Sequence, residues 1–209
     1  MAQNSPARRV PSHGVDVFGE RYAIDFVAVD DRGRTAGIRD WRTAFATEPA
    51  ERFYAFGRPI LTPADGTVVA VHDGEVDHEG RRSQLSLVPY ALTQASRLRE
   101  GVNALAGNHV IIRVRDVFIA IAHLRAASFR VAVGDEVTVG QPLAECGNSG
   151  NSTEPHVHLQ VMDSDDLSVA QGLPMAFRNF REKQRGEKQF TSRESGMPGE
   201  GAIVESLER

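Results

Sequence analysis

Two histidines two residues apart have the clearest chemical potential in this sequence. His156 and His158 follow Pro155 in a run of alternating apolar residues, a pattern typical of a β-strand. Successive side chains of a strand point to opposite faces, so both imidazoles share one face, with Cα atoms roughly 6.5 Å apart. Imidazole nitrogen is a frequent ligand of Zn²⁺, which in catalytic sites has three protein ligands and one open position for water. The pair therefore predicts part of a zinc-dependent hydrolytic site.

The further ligands must come from another part of the chain. Asp25 interrupts the strand-like run Tyr22–Val29 with a carboxylate, which is normally unfavourable inside a strand. Its oxygen can ligate zinc, and His13 in the preceding loop offers a further imidazole nitrogen. The sequence thus predicts that Asp25 and His13 join the histidine pair at one metal ion.

Four other histidines remain. His123 ends a strongly apolar run, where a buried titratable ring costs several kcal/mol unless it is hydrogen-bonded. It is a candidate catalytic group, with a surface position at a strand end as the alternative. The other three, His72, His78 and His109, have no partner at ligand spacing and are predicted to be surface residues of turns or strands.

The elements that must position these residues are mainly β-strands, because the apolar signal comes in short β-branched runs bounded by glycine, proline and aspartate. The strand-like runs are Tyr22–Val29, Gly66–Val71, His109–Val114, Val117–His123 and Pro155–Met162. Only Arg115 and Asp116 separate two of them, which predicts a hairpin. Three- and four-residue apolar steps predict one helical insertion at about residues 89–106. We expect a mainly β fold built on an antiparallel sheet.

The chain of 209 residues is long enough for one domain with a sizeable core. We expect this domain over residues 1–180, with a core at about 59–162 and a metal-ligand segment at 11–29. The stretch from Arg181 to the end, residues 181–209, is dense in charge, glycine and serine. It predicts a polar, flexible tail.

Composition excludes several classes of partner. The chain has 24 basic and 28 acidic side chains, a formal net charge of -4, and no long basic run that could follow a phosphate backbone, so nucleic acid is not expected. No run of about 18 apolar residues predicts a transmembrane segment, and the N-terminal residues do not match a signal peptide. The single cysteine, Cys146, cannot form an internal disulfide. Compartment and oligomeric state stay open.

Three blocks of residues carry a resemblance to a known family, the lysostaphin-type or LytM-like zinc metallopeptidases that cut peptide bonds in bacterial peptidoglycan. The most specific block, Gly147–Leu159, resembles that family's glycine-rich turn leading into its His-x-His strand. Ala122–Leu124 followed by Val133–Gln141 is similar to its Tyr-x-His-Leu strand and Gly-Asp-x-Val corner. Pro59–Val69 is similar to the usual entry into its core sheet. The resemblance implies a duplicated-hybrid-motif-like LytM core.

The resemblance also implies roles for individual residues. It makes His158 and Asp25 zinc ligands, and it makes His123 and His156 catalytic histidines acting with a zinc-activated water. The family has a ligating histidine four residues before the aspartate, but this chain has Arg21 there, and a guanidinium does not ligate zinc. His13 then becomes the first ligand if the loop Gly14–Glu20 folds back, and its two glycines permit this.

Two alternatives at this position stay open. Asp16 is a weaker substitute ligand, or Arg21 marks a domain that has lost its metal. We also expect the turn Gly147–Thr153 to form the floor for an extended peptide, with Asn148, Ser149 and Asn151 as the substrate-binding side chains.

The favoured function is a zinc metalloendopeptidase acting on peptidoglycan stem or cross-bridge peptides, which implies a cell-envelope location. The main alternative is a non-catalytic, LytM-like binding or regulatory domain with an incomplete metal site. A phosphocarrier domain of similar β architecture, in which a histidine accepts phosphate, matches the Ser149–Leu159 block much less well.

Overall fold

Antiparallel strands dominate the structure, a computed structural model that describes residues 1–83 and 101–207. The strands are β1 (Ala2–Gln3), β2 (Ile24–Phe26), β3 (Pro59–Leu61), β4 (Gly66–His72), β5 (Asn108–Val114), β6 (Val117–Leu124), β7 (Glu136–Val137), β8 (Pro142–Glu145), β9 (Val157–Met162), β10 (Phe177–Lys183), β11 (Thr191–Gly196) and β12 (Ile203–Ser206). They form sheets of seven, three and two strands. The prediction of a mainly β, antiparallel fold is confirmed.

The seven-stranded sheet positions the candidate site. Its strand order is β1-β2-β9-β6-β5-β4-β7, so β9 and β6 lie near its centre. β9 contains His158, and β6 contains His123. β5 and β6 form the predicted hairpin, with Val114 opposite Val117 and Arg115 at a φ of 56° in the turn. β2 is a short strand that pairs with β9 on one side and with β1 on the other.

The two faces of this sheet have different chemistry. One face carries the main apolar core, in which Val110, Ile112 and Ile121 are buried against Leu143 of β8. Fully burying a side chain of this size contributes about 1.5–3 kcal/mol to stability. On the other face Ala122 of β6 pairs with a histidine of β9, so the polar groups of the site project there. A smaller apolar cluster shares that second face, and its buried members are Ile111, Ala120, Met162, Leu167 and Ala170.

The C-terminal region is not the flexible tail that the sequence predicted from Arg181. Residues 177–206 form a three-stranded sheet in the order β11-β10-β12. Most side chains of β11 are exposed. This strand therefore lacks the alternation of apolar and polar residues that is typical of a half-buried sheet. Phe180 and Glu182 of β10 are the buried members.

Helical structure is sparse in the described part of the chain. It consists of α1 (Trp41–Phe45), α2 (Val102–Ala106) and two short 3₁₀ turns, Glu20–Tyr22 and Ala50–Arg52. The predicted helical insertion at about 89–106 includes α2, while its residues 89–100 lie outside the described residues. None of the helices in residues 1–83 and 101–207 is long and apolar enough to cross a lipid bilayer.

Candidate metal centre

A carboxylate and an imidazole face each other across two neighbouring strands. The register of β2 and β9 places Asp25 opposite His158, which puts both side chains on the same face of the sheet. Both residues are buried, at 4% and 6% exposure. His158 Nδ1 lies 2.9 Å from Asp25 Oδ1. Strand pairing therefore brings together two residues separated by more than 130 positions in the chain.

His13 reaches the same carboxylate from its loop. Its Nε2 atom lies 3.1 Å from Asp25 Oδ2. The loop closes because the backbone N–H of Ser12 donates to the carbonyl of Arg21 at 3.0 Å, and Gly14 adopts a φ of 85°, in the left-handed region. The loop therefore folds back and brings His13 to Asp25, as expected from the sequence if His13 is the first ligand.

The hydrogen bonds around His13 fix which of its nitrogens carries the proton. Ser12 Oγ donates its only hydrogen to the carbonyl of Glu20, so it accepts from His13 Nδ1, 3.0 Å away. A neutral His13 is therefore protonated on Nδ1, and the lone pair of Nε2 faces the carboxylate of Asp25.

The hydrogen bonds of Gln160 fix the position of a hydrogen on His158 in the same way. The sequence analysis did not identify Gln160. Gln160 Nε2 donates to the carbonyl of Phe18 at 2.8 Å, which orients Oε1 of the amide toward His158 Nε2, 2.9 Å away. Oε1 can only accept, so Nε2 of His158 carries a hydrogen, and Nδ1, next to Asp25 Oδ1, is the nitrogen that could ligate a metal. Gln160 lies two residues after His158 on the same strand face, so strand alternation could have revealed it.

Two imidazole nitrogens and one buried carboxylate thus converge on a small volume, an arrangement that could hold a metal ion. One ligand atom from each of His13, Asp25 and His158 lies within 4.8 Å of the others. Tetrahedral zinc with bonds near 2.1 Å separates its ligand atoms by about 3.4 Å. The observed contacts of 3.1 and 2.9 Å are close to that spacing. The residues present fit a zinc ion.

The pKa shifts of Asp25 and His158 also indicate that this group of residues favours a positive charge. Burial by itself would raise the pKa of Asp25, but the neighbouring His156, His13 and His158 hold that pKa well below its usual range. Burial opposes the charged form of His158, but the hydrogen bond and the charge of Asp25 raise its pKa to about 9. In the absence of metal, a proton on His158 supplies the positive charge.

Arg21 and Asp16 do not contribute ligands to this group. Arg21 Nη1 forms an ion pair with Asp16 Oδ2, and both side chains are substantially exposed. The group among the described residues that could hold a metal ion consists of His13, Asp25 and His158. Arg21 therefore does not leave this group short of a third candidate ligand, because His13 takes that place.

His123 and His156 flank the ligand group with their rings 4.7 Å apart. His123 Nδ1 donates to the carbonyl of Ser149 at 2.9 Å, and His156 Nδ1 donates to the carbonyl of Glu154 at 2.8 Å. In both rings the neutral form therefore leaves Nε2 as the basic nitrogen. Burial, followed by the charges of His156 and His158, holds the pKa of His123 well below its usual value.

The backbone at His123 is unusual for a strand end. Its φ of 61° lies in the left-handed region, which is rare for a residue other than glycine and is concentrated at functional sites. The surface position considered from sequence is wrong, because His123 is 7% exposed.

The glycine-rich turn aims His123 rather than presenting the side chains expected for substrate binding. Asn148 and Ser149 are both 0% exposed. Ser149 Oγ accepts from the backbone N–H of Asn108 and donates to the carbonyl of Leu124, while the Asn148 amide donates to the carbonyl of His78. These two side chains have no surface with which to touch a peptide. Among the three predicted substrate-binding residues, only Asn151 lines the cleft.

Glycines allow this turn to pack so closely. A Cβ atom on Gly150, whose φ is 69°, would lie 2.4 Å from the backbone nitrogen of Gly107. Such a contact is not tolerated between non-bonded atoms, so the turn and the start of β5 approach only because both positions lack side chains.

Glu154 stands beside the site without joining the ligand group. Its Oε2 accepts from Thr35 Oγ1 at 2.8 Å. Burial raises the pKa of this carboxyl, although the Thr35 hydrogen bond and the charge of His156 oppose the shift. The carboxyl is thus engaged by a residue that lies far away in the sequence, and it is not part of the candidate ligand group.

The site opens into a cleft with a volume of about 600 Å³. Asn4 lines it and donates from Nδ2 to Asp25 Oδ2 at 2.7 Å, a contact that depends on β1 pairing with β2 and has no signal in the local sequence. His109 also lines the cleft and is 4% exposed, so its prediction as a surface residue is wrong. Its place beside the cleft follows from the pairing of β5 with β4 and β6, which the local sequence does not show.

Comparison with known proteins adds a family to this geometry. A sequence model of the family described as Peptidase family M23 matches residues 52–170, more than half of the chain. The matched stretch contains His123, His156 and His158, while His13 and Asp25 precede it.

Several solved structures are similar to this chain. A mutant catalytic domain of the prophage-encoded M23 protein EnpA from Enterococcus faecalis has 23% identity and a TM-score of 0.39, over 71% of this chain and 87% of that one. The catalytic domain of the antimicrobial peptidase lysostaphin from Staphylococcus simulans has 19% identity and a TM-score of 0.37, over 66% and 85%. A zinc containing peptidase from Vibrio cholerae has 21% identity and a TM-score of 0.36, over 56% and 26%.

Proposed function

This chain belongs to peptidase family M23, and from that premise we propose that it is a zinc metalloendopeptidase. Its ligands are His13, Asp25 and His158, and its catalytic histidines are His123 and His156. The observation that carries the proposal is the convergence of one nitrogen of His13 and one of His158 on the buried carboxylate of Asp25. Two nitrogens and one carboxylate oxygen are a donor set typical of catalytic zinc, with a position left for water.

When bound, zinc supplies Lewis acidity that polarises a scissile carbonyl and lowers the pKa of water toward 7. The chain's own residues then handle the protons. His123 is neutral at pH 7 because its pKa is low, so its Nε2 can accept a proton from the attacking water. His156 Nε2 lies 3.7 Å from Oδ1 of Asp25, one of the proposed metal ligands. Once protonated, it can donate to the oxygen of a tetrahedral intermediate.

The substrate we propose is an extended peptide, with peptidoglycan stem or cross-bridge peptides as the class. A cleft of about 600 Å³ accommodates a few residues in extended form rather than a folded protein. Such a substrate implies a cell-envelope location for the protein.

The test combines metal content with cleavage. The full chain, purified without chelator, is expected to contain one zinc ion and to cleave a peptidoglycan-derived peptide. His123→Ala should keep the zinc and lose about 10²–10⁴-fold in kcat/KM, because a proton-transfer group contributes that much. His72→Ala is the matched control, since His72 lies outside the cleft lining.

Two results would contradict the proposal. A chain without zinc would favour the non-catalytic binding domain. A zinc-loaded chain whose hydrolysis survives His123→Ala would assign the chemistry to other residues.

A further inference from the structure

A further histidine, His109, lies on the same sheet face as Asp25 and His158. Cross-strand partners share a face, and β6 supplies two small residues there: Ala122 opposite His158, and Ala120 opposite Ile111 of β5. His109 lies two residues before Ile111, so it reaches the same face on the far side of these alanines. Because alanine side chains are short, the sheet surface between His158 and His109 forms the floor of a groove.

The chemistry of His109 leaves one nitrogen available to a ligand. Its Nδ1 donates to the carbonyl of Gly107 at 2.7 Å, so the neutral ring has its lone pair on Nε2. Burial, followed by the neighbouring His72, lowers the pKa of His109. No buried side-chain nitrogen or oxygen in the described part of the chain lacks a hydrogen-bond partner. Nε2 has no hydrogen-bond partner among the contacts of those residues, and His109 lines the cleft.

Apolar side chains line the same cleft as His109. α2 contributes Val102, Leu105 and Ala106 to the lining, and Leu167 contributes from the loop after β9. The carboxylate of Glu20 lines the cleft as well, on the 3₁₀ turn that follows the His13 loop. Val102, Ala106 and Leu167 also pack in the apolar cluster of Ile111 and Ala120, the neighbours of His109 on this face, so this part of the cleft is mainly apolar.

We propose that His109 and this apolar wall form a subsite for an aliphatic side chain of the bound peptide. His109 Nε2 accepts a hydrogen bond from the backbone N–H of the same peptide. The inference rests on the proposed peptidase function and adds a substrate class to it, namely peptides with an uncharged aliphatic residue in this pocket rather than an acidic one. A buried carboxylate would lose its hydration there without gaining a cationic partner.

Binding of two blocked tripeptides tests the subsite without requiring cleavage. Acetyl-Ala-Leu-Ala-amide and acetyl-Ala-Asp-Ala-amide are titrated into the full chain in the presence of chelator, with calorimetric detection. The leucine peptide is expected to bind at least about tenfold more tightly, since filling an apolar pocket and avoiding carboxylate desolvation both favour it.

Two variants locate the effect. His109→Phe keeps an aromatic ring next to His72 but removes the acceptor, and it should weaken the leucine peptide about two- to tenfold. His72→Phe changes the other ring of the stacked pair, which lies outside the cleft lining, and should leave binding unchanged. Ala106→Leu fills the pocket from α2 and should remove the preference for leucine.

Equal binding of the two peptides, or a leucine preference that survives both His109→Phe and Ala106→Leu, would overturn the subsite. The proposed function fails separately. A chain that prefers the leucine peptide but never hydrolyses a peptide when loaded with zinc keeps the subsite and loses the peptidase. A chain that hydrolyses peptides but binds the two tripeptides equally keeps the peptidase function and loses the subsite.

Discussion

Two groups of histidines share one sheet, and they differ in what faces their nitrogens. In the first group His13 and His158 direct their nitrogens at Asp25, which is buried between them. In the second, His72 and His109 stack with ring centroids 5.3 Å apart, and the only carboxylate in contact among the described residues is Glu75. Glu75 is partly exposed and lies 3.3 Å from His72. Both groups cluster imidazoles, so the feature that distinguishes the candidate metal centre is the buried carboxylate of Asp25.

The electrostatic consequences of this difference have opposite signs. Asp25 raises the pKa of His158 to about 9 despite its burial. His109 has no such partner, so burial lowers its pKa. One group therefore favours a proton or a metal cation, and the other favours a neutral ring.

The largest expected effect comes from removing the counter-charge in each group. Asp25→Asn should weaken zinc binding by more than about a hundredfold, because even an outer partner of a ligand is worth 10- to 100-fold and Asp25 is proposed to be a ligand itself. Glu75→Gln, the same change in the second group, should leave zinc affinity unaltered. Competition titration against a chromophoric chelator measures both. Similar losses in the two variants would remove the distinction between the groups.

The pH dependence of stability separates the two groups next. Without metal, His158 has a pKa of about 9 in the folded chain and 6.5 as a free imidazole. Its contribution, on the order of 3 kcal/mol, is fully present below pH 6.5 and is lost as pH rises through 9. His158→Gln should therefore flatten the fall in unfolding free energy between pH 6.5 and 9, as measured by urea denaturation in chelator.

His109 should act at the other end of the pH range. Its lowered pKa means that the unfolded chain binds a proton that the folded chain does not, so stability falls as pH decreases below 6.5. His109→Gln should flatten this acid limb and leave the alkaline limb unchanged. An alkaline effect from His109→Gln would contradict the assignment of the two signs.

A smaller effect is expected from the residue that orients His158. Gln160→Leu removes the acceptor for His158 Nε2–H and should weaken zinc binding about 10- to 100-fold, as is usual for outer partners of ligands. Gln160→Glu keeps an acceptor at the same place and should restore most of the affinity. If leucine and glutamate at this position behave alike, the hydrogen bond does not set the ring orientation.

The smallest effect concerns the N-terminal strand. Asn4→Ala removes the donor to Asp25 Oδ2 and should reduce zinc affinity by a few-fold, about the value of one hydrogen bond to a charged group. Asn179→Ala, in the C-terminal sheet, provides a control with the same chemical change. The two variants are compared in the same zinc titration, and equal affinities would exclude Asn4 from positioning Asp25.

The sequence predicted those parts of the site that local periodicity controls. His156 and His158 share a face because strand side chains alternate, and Asp25 was conspicuous because a carboxylate interrupts an apolar strand. His13 required a loop to close over twelve residues, which the sequence permitted but could not demand. The positions of Asn4 and His109 depend on strand pairing, which is a property of the assembled sheet.

The C-terminal sheet shows the same limit for the fold. Its exposed, charged strands pair through backbone hydrogen bonds, as in the contact of Phe180 with Arg193 across β10 and β11. Composition gave no sign of this, because backbone pairing leaves no mark on side-chain polarity when neither face is deeply buried.

The most direct test of the central claim is a crystal structure of the full chain with anomalous data above and below the zinc absorption edge. We expect one zinc peak within about 2.0–2.2 Å of His13 Nε2, of an Asp25 carboxylate oxygen and of His158 Nδ1. A zinc peak that lacks His13, or a site that stays empty in crystals soaked with zinc, would contradict the claim that this loop histidine completes the metal centre.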